Sequence, residues 1–343
     1  MRRGMRLLGI VALAAAVMAA ACGGTSSGDK TKTAAAGGAT KPAGTQAATT
    51  PKASGSAAAA ASPVATTTYP LTVTDMLGRS VTIAKKPATV AAISPTTVEY
   101  VYAVGATSKT RSSSVRFPLP ASGAKDIGPS YQPNLELIAA EKPDLIVADS
   151  VSQPQLKATL EGLGVPVLFV GAQVFSDVPK GLRLMGQVLD QQATAGTVAA
   201  KLEKTLSDLQ AKTHTVKPKV LVVNGTPDDF FAAKPESYVG DLVQLLGGDN
   251  VAKGAPDVGR FPGYTKLSLE TILASKPDVI LAITAGPPSD KNISAALAAN
   301  PAWADVPAVK NKRVTEVNVE IFLQAPGPRA GDGLNVLEKL LYP

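Results

Sequence analysis

The chain has 343 residues, and its 34 Lys and Arg residues against 27 Asp and Glu residues give a formal net charge of +7. A single Cys excludes a disulfide scaffold and any zinc or iron–sulfur site built from cysteines. A single His argues against a His-rich transition-metal site, so we expect neither a metal site nor a cofactor.

The positive charge is concentrated before residue 66. Residues 1–65 hold seven basic residues and one acid, whereas residues 66–343 hold 27 basic and 26 acidic residues. A nearly neutral folded part has no bulk electrostatic attraction to a phosphate backbone. We therefore expect no nucleic-acid partner.

Residues 1–21 have the pattern of a signal peptide, with a basic start followed by an apolar run that is short for a bilayer span. Small residues precede Cys22, which resembles the bacterial lipoprotein signal, in which the Cys becomes the acylated N-terminus. The Leu usual three residues before that Cys is Ala19 here. Ordinary signal-peptide cleavage, which leaves Cys22 as a free thiol, is the alternative.

Residues 22–68 are predicted to form a disordered tether. From residue 23 to residue 68, 39 of 46 positions are Ala, Gly, Ser, Thr or Pro. Such a segment buries too little apolar surface to offset the entropy of ordering it. As a flexible coil it spans about 40 Å, so it can hold a folded domain away from a membrane.

After Tyr69, short β-branched runs alternate with amphipathic helical patterns, which is typical of α/β folds with parallel sheets. The predicted strands are Thr89–Ile93, Asp144–Val147, Val165–Val170, Lys219–Val223, Asp278–Ile283 and Arg313–Val317. Predicted helices include Thr97–Val104, Asn134–Ala140 and Pro154–Leu163.

An internal repeat divides the folded part into two related halves. Residues 135–148 read LELIAAEKPDLIVA and residues 269–282 read LETILASKPDVILA, with nine identical positions. Between the copies lies a long helical pattern, interrupted near residues 190–192. We therefore predict two α/β lobes, at residues 69–176 and 217–343, bridged by a helical segment at residues 177–216.

Several segments resemble the periplasmic-binding proteins of the iron-siderophore and vitamin B12 class. They are the lipoprotein leader, VTDMLGRSVTIAKKPATVAAISPTTVEYVYAVGA at 73–106, PNLELIAAEKPDLIV at 133–147 and AWADVPAVKNKRV at 302–314. The resemblance implies two Rossmann-like lobes bridged by a single long helix, the class III periplasmic-binding fold. It also implies an extracytoplasmic, monomeric receptor that delivers a ferric siderophore, a corrinoid or haem to an ABC permease dimer.

The resemblance assigns a docking role to two repeated acids. Glu136 and Glu270 occupy equivalent positions in the two copies of the repeat, and in the family such acids meet basic residues of the permease. The alternative is purely local, because an acid in the first turn of a helix stabilises it through the macrodipole.

Candidate ligand residues lie on loops that follow predicted strands, where parallel α/β folds hold their ligands. Ser94, Pro95 and Thr96 offer hydroxyl and backbone N–H groups, and aromatic faces suit a large, partly planar ligand. Guanidinium groups on these loops suit anionic ligands, although each is also explained as a solvated surface group. The aromatic candidates are Tyr131, Phe231 and Tyr264, and the arginines are Arg116, Arg260 and, ahead of the last helix, Arg329.

Haem requires an axial ligand, and His214 is predicted to lie on the surface away from the cleft. Tyr131 is then the remaining candidate for the axial ligand of haem.

Two other functions remain open. A ligand-sensing lipoprotein can use the same fold without transport. A hydrolase is the enzyme alternative, but the chain has no evident Ser/His/Asp set, carboxylate pair or P-loop.

Overall fold

The computed structural model describes residues 66–259, 262–286 and 291–343. The predicted signal peptide, Cys22 and nearly all of the predicted tether lie outside the described residues, and so does Arg260. No helix among the described residues has the length and apolar character needed to span a bilayer.

The described residues form short strands alternating with helices. The strands are β1 Leu71–Thr74, β2 Ser80–Ile83, β3 Val90–Ala92, β4 Thr110–Arg111, β5 Lys125–Asp126, β6 Leu145–Ala148, β7 Val167–Phe169, β8 Lys219–Gly225, β9 Phe230–Ala233, β10 Asp249–Asn250, β11 Tyr264–Thr265, β12 Val279–Thr284 and β13 Val314–Glu316. The helices are α1 Pro95–Ala103, α2 Leu135–Ala140, α3 Lys157–Glu161, α4 Asp177–Leu189, α5 Gln192–Gln210, α6 Tyr238–Leu245, α7 Leu269–Ser275, α8 Ile293–Ala299, α9 Pro307–Lys310 and α10 Ala330–Leu341.

Two sheets define two α/β lobes. The sheet of the N-terminal lobe has the order β5-β4-β3-β6-β7, and every neighbouring pair is parallel. The sheet of the C-terminal lobe has the order β11-β9-β8-β12-β13, in which β8, β12 and β13 are parallel and β9 is antiparallel to both of its neighbours. The strand β10 adds a short parallel pairing to β8. The α/β class expected from the sequence is confirmed.

The six strands predicted from the sequence all form, as β3, β6, β7, β8, β12 and β13. The expectation that Phe231 lies in a loop is wrong, because Phe231 and the preceding Phe230 both lie in a strand. The strand β8 continues to Gly225, a turn follows at residues 226–229, and the two phenylalanines begin β9 antiparallel to β8. The strands β4, β5, β10 and β11 are two residues long, too short for a sequence pattern to reveal.

The segment between the lobes contains two helices. Asp190 ends α4 in the left-handed conformation, with φ of 55°, and the chain reverses into α5. The start of α5 lies beside Gly105 of the N-terminal lobe, and at its end Gln210 Nε2 donates to the Leu245 carbonyl of the C-terminal lobe at 3.0 Å. The helix α4 packs on α1 of the N-terminal lobe. A single helix, α5, therefore bridges the lobes.

Both sheets are buried on both faces, as parallel sheets are. Along β6, Leu145 belongs to one apolar cluster and Ile146 to another, and along β12 the same alternation separates Leu281 from Ile280. One cluster lies on the outer face of each sheet, and a third runs without a break from the N-terminal sheet through α4 and α5 to α10. The two lobes consequently share one apolar core.

The internal repeat is a repeat of structure. The side chains of Asn134 and Ser268 cap α2 and α7, each accepting from the backbone N–H three residues on. Lys142 and Lys276 then take the left-handed conformation, with φ of 47° and 51°, ahead of the strands β6 and β12. Each copy thus builds a capped helix, a tight left-handed turn and a buried strand.

The Asp of each copy joins two neighbouring strands. Asp144 accepts hydrogen bonds from the backbone N–H groups of Ala88 and Thr89 just before β3, each at 3.0 Å. Asp278 accepts from the backbone N–H of Lys219 at the start of β8, at 2.8 Å. The hydrogen bond from Lys85, followed by those from the Thr89 and Ala88 N–H groups, lowers the pKa of the Asp144 carboxyl. The repeated carboxylate therefore aligns the amino ends of paired strands in both lobes.

Candidate functional site

The carboxyl ends of the parallel strands meet at the junction of the lobes, which is where ligands bind in folds of this kind. Side chains cross this junction at several points. Thr96 Oγ1 of the N-terminal lobe donates to the Gln324 carbonyl of the C-terminal lobe at 3.5 Å. On the crossover segment ahead of α4, the backbone N–H of Phe175 donates to Asp241 Oδ2 of α6 at 2.7 Å. The two lobes are thus joined by hydrogen bonds across this junction.

Ser94 and Thr96, two of the predicted ligand-binding hydroxyls, are buried and engaged within the protein. The Ser94 hydroxyl accepts from the Thr97 N–H at 3.1 Å, and the Thr97 hydroxyl accepts from the Ser94 N–H, which forms a capping box. Thr96 contacts the other lobe. Of the three predicted residues, only Pro95 is partly exposed. The Ser94 hydroxyl is used to cap α1 and is therefore not available to a ligand.

Arg329, expected as a solvated surface residue, instead forms an ion pair between the lobes. Its Nε donates to both carboxylate oxygens of Glu99 on α1, at 3.0 and 3.1 Å. The Arg329 side chain is 15% exposed and that of Glu99 is 2% exposed. Burial raises the pKa of Glu99 to about 7, although the bonds from Arg329 act to lower it.

Phe117 completes this contact, and the sequence reasoning missed it. The Arg329 guanidinium carbon lies 4.5 Å from the centre of the Phe117 ring, and that ring is 41% exposed. Phe117 stands between Arg116 and a proline in the loop after β4. An aromatic residue in a proline-containing loop at a strand carboxyl end is the signal that could have identified it.

Tyr131 and Tyr264 come from different lobes and lie near each other. Tyr131 is 51% exposed in the loop after β5, whereas Tyr264 lies on the edge strand β11. Burial, with a smaller contribution from the Tyr131 phenol, raises the pKa of Tyr264 to about 12. Of the predicted aromatic candidates, these two are therefore brought together across the junction.

Phe231 lies on the C-terminal wall beside a charged pair. Lys266 Nζ forms an ion pair with Asp229 and lies 4.8 Å from the centre of the Phe231 ring. Asp229 closes the turn after β8, and Lys266 follows β11 at the same edge of the sheet. The aromatic ring and both charges thus share the carboxyl-end edge of the C-terminal sheet.

Arg116 is exposed, and its Nη1 donates to the carbonyls of Ser113 and Val115 in its own loop, at 2.7 and 3.1 Å. Arg260 lies outside the described residues.

His214 stacks on Tyr342 with ring centres 3.6 Å apart, at the end of the last helix of the C-terminal lobe. In the part of the chain that the structure describes, no group of three or more His, Cys, Asp or Glu side chains is arranged to hold a metal ion.

A groove of about 650 Å³ opens beside the junction at the β7 edge. Ser150 and Gln173 line it from the N-terminal lobe, Lys180 from α4 and Pro262 from the C-terminal lobe. Gln173 Nε2 bridges the lobes there by donating to the Glu236 carbonyl at 2.8 Å. None of the predicted ligand residues that the structure describes lines this groove.

Glu136 and Glu270 are both exposed, each at the second residue of its helix. Among the described residues neither forms an ion pair within the protein. The caps of α2 and α7 come from Asn134 and Ser268, so neither Glu is needed to satisfy the N-terminal backbone donors.

Two α/β lobes, a cleft at their strand ends and one long bridging helix define a class III periplasmic-binding fold. The model of the family described as "Periplasmic binding protein" matches residues 90–319, and the chain belongs to this family.

Three known proteins are similar to this chain. The ABC transporter substrate-binding lipoprotein YvrC of Bacillus subtilis is 25% identical over 289 residues, covering 81% of this chain and 87% of the relative. The high-affinity heme uptake system protein IsdE of Staphylococcus aureus is 26% identical over 221 residues, covering 63% of this chain and 74% of the relative. A crystal structure of an ABC transporter substrate-binding protein from Listeria monocytogenes matches with a TM-score of 0.65 and 25% identity, covering 75% of this chain and 99% of that one.

Proposed function

We propose that this protein is the extracytoplasmic substrate-binding component of an ABC importer. The observation that carries the proposal is the family match over residues 90–319, in a chain whose strand ends form a cleft between two lobes. Relatives from two organisms are named as ABC transporter substrate-binding proteins, which supports the same role here. The family consists of binding proteins, so a hydrolase is disfavoured.

The ligand is a metal chelate or macrocycle, either a ferric siderophore, a corrinoid or haem. Exposed rings of Phe117 and Tyr131 in the N-terminal lobe and partly exposed rings of Phe231 and Tyr264 in the C-terminal lobe support this class, because flat apolar faces stack on such rings. One relative is named as a heme uptake protein. The proposed contacts are Pro95, Arg116, Phe117, Tyr131, Phe231 and Tyr264, with Arg260 beyond the described residues.

The protein works as a monomer, tethered to the membrane by lipid on Cys22 and docked on the permease through Glu136 and Glu270. The lipoprotein name of the Bacillus relative supports the anchor. The exposure of both glutamates and their equivalent positions in the two lobes support the docking role. A sensor with the same fold but no permease is the alternative.

Melting of the purified protein with cobalamin, haem and a panel of ferric siderophores tests the ligand class. A ligand that binds only the folded protein stabilises it by about 2.7 kcal/mol when its concentration is a hundred times the dissociation constant. The melting temperature rises accordingly. If none of the three classes raises it, the proposed ligand range is wrong. Ligand-dependent uptake by the reconstituted importer then separates transport from sensing.

A further inference from the structure

Two places near the junction of the lobes set a cation against an aromatic ring and a carboxylate. The first is the Arg329 triad, in which Arg329 of the C-terminal lobe meets Glu99 and Phe117 of the N-terminal lobe. The second is the Lys266 triad, formed by Lys266, Asp229 and Phe231 within the C-terminal lobe. In both triads the positive group is already paired with an acid, and the ring lies over that positive group.

The Arg329 triad is closed to an anionic ligand. The Arg329 side chain is 15% exposed, and its guanidinium is bonded on the Nε edge to both oxygens of Glu99 and covered on one face by Phe117. A second carboxylate, that of Glu320, lies 3.6 Å from Arg329 Nη2. An anion that approached this place would meet the Phe117 ring and the Glu320 carboxylate before any positive charge.

The Lys266 triad is open to solvent but electrically balanced. The side chains of Lys266 and Asp229 are 50% and 65% exposed, so a ligand can reach both. The adjacent Asp228 is also exposed and adds a negative charge to the same turn. A bound anion beside Lys266 therefore also lies within a few ångströms of a carboxylate, and at that separation like charges repel appreciably in a partly desolvated site.

We infer that the acids of the two triads set the charge selectivity of the cleft, so that it takes a large aromatic or macrocyclic ligand without net negative charge. This inference rests on the proposed function and narrows its ligand range to an uncharged ferric chelate or a corrinoid. Phe117 and Phe231 supply stacking faces, while Glu99 and Asp229 pair with two of the cations that a polyanionic chelate could otherwise use. Arg116, which is exposed, stands outside both triads.

The test compares affinities of the full chain for three probes: cyanocobalamin, an uncharged ferric tris-hydroxamate and a polyanionic ferric tris-catecholate. Asp229→Asn frees Lys266, and Lys266→Gln leaves Asp229 unpaired, so the two variants change the local charge in opposite directions. Asp208→Asn is the matched control, because Asp208 pairs with Lys204 in an exposed i,i+4 contact on α5. All variants are checked for an unchanged melting temperature.

The wild-type protein should bind one of the uncharged probes at least about tenfold more tightly than the tris-catecholate. Asp229→Asn should strengthen tris-catecholate binding by roughly fivefold or more and Lys266→Gln should weaken it, with smaller changes for the uncharged probes. Both changes should shrink in 1 M salt, where the Debye length is about 3 Å. Asp208→Asn should leave the affinity for all three probes unchanged.

Tighter wild-type binding of the tris-catecholate overturns the inference while leaving the proposed function intact. Equal effects of both variants on all three probes also overturn it, because they indicate a structural role for the pair. If no probe binds the wild-type protein, the inference fails, while haem, the remaining member of the proposed ligand range, still tests the proposed function.

Discussion

Arg329 and Glu99 join the two lobes through a buried ion pair. Arg329 lies just before α10 in the C-terminal lobe and Glu99 in the middle of α1 in the N-terminal lobe, 230 residues apart. A buried pair of this kind is costly to break, because removing one partner leaves the other charge desolvated. The pair therefore resists separation of the lobes and complements the bridging helix α5.

The raised pKa of Glu99 predicts a pH dependence of stability. Its pKa is about 7 in the folded protein against 4.5 for an unperturbed Glu, so the folded state binds more protons between these values. The contribution of Glu99 to the free energy of unfolding is consequently full below about pH 4.5 and declines as the pH rises to about 7. Glu99→Gln removes this decline, so the stability of the variant relative to wild type should rise between pH 5 and pH 8 by about 1 kcal/mol or more.

Urea unfolding of both proteins at pH 5, 6, 7 and 8 measures this difference. Glu203→Gln serves as the control, since Glu203 forms an exposed pair with Arg183 and the pKa of its carboxyl is lowered. A difference between Glu99→Gln and wild type that stays constant across this range would show that Glu99 is ionised throughout it.

The strand-aligning carboxylates should contribute unequally to stability. Asp144 accepts from two backbone N–H groups and pairs with Lys85, whereas Asp278 accepts from one backbone N–H. Each lost hydrogen bond costs about 1 kcal/mol, so Asp144→Ala should cost about 2 kcal/mol and Asp278→Ala about 1 kcal/mol. Thermal unfolding monitored by circular dichroism checks both values. A larger loss at Asp278 would mean that the C-terminal lobe depends more heavily on its strand register.

The repeat shows why much of the fold could be predicted from sequence. Asn134, Lys142 and Asp144 act through neighbouring backbone groups, so their spacing along the chain carries their structural roles. The same holds for Ser268 and Asp278 in the second copy. Buried parallel strands are also continuous apolar runs, and these stand out between turn residues.

The candidate site was harder to predict, because its partners come together only in three dimensions. Nothing local to Arg329 indicates that Glu99 neutralises it, since the pairing depends on how the lobes meet. A serine at position 94 could contact a ligand or cap a helix, and the sequence does not distinguish the two roles. In the structure Ser94 caps α1 in a capping box with Thr97. Tyr131 and Tyr264 were identified individually, but their proximity follows from the strand order of two separate sheets.

Tyr131 should contribute to ligand affinity more than to stability, because half of its side chain is exposed. An aromatic contact of this kind is worth about 1–3 kcal/mol, so Tyr131→Ala should weaken binding of the identified ligand by roughly tenfold to a hundredfold. Tyr131→Phe keeps the ring and should bind normally unless the phenol oxygen coordinates haem iron, in which case the haem absorption spectrum changes. Tyr342→Ala, at the end of the chain, is the control for removing an aromatic group elsewhere.

The docking role of Glu136 and Glu270 predicts a separation of binding from transport. Reversing both to Lys should abolish uptake by the reconstituted importer, because the charges would then repel the basic permease residues they are proposed to meet. Ligand affinity and melting temperature should stay within the error of the wild type, since both side chains are exposed and both helices keep their Asn134 and Ser268 caps. Glu141→Lys paired with Asp208→Lys gives the same change in net charge at other positions and should leave uptake intact. Loss of ligand affinity in the double Glu136 and Glu270 variant would instead assign these acids to the cleft, and full uptake would reduce them to helix-stabilising residues.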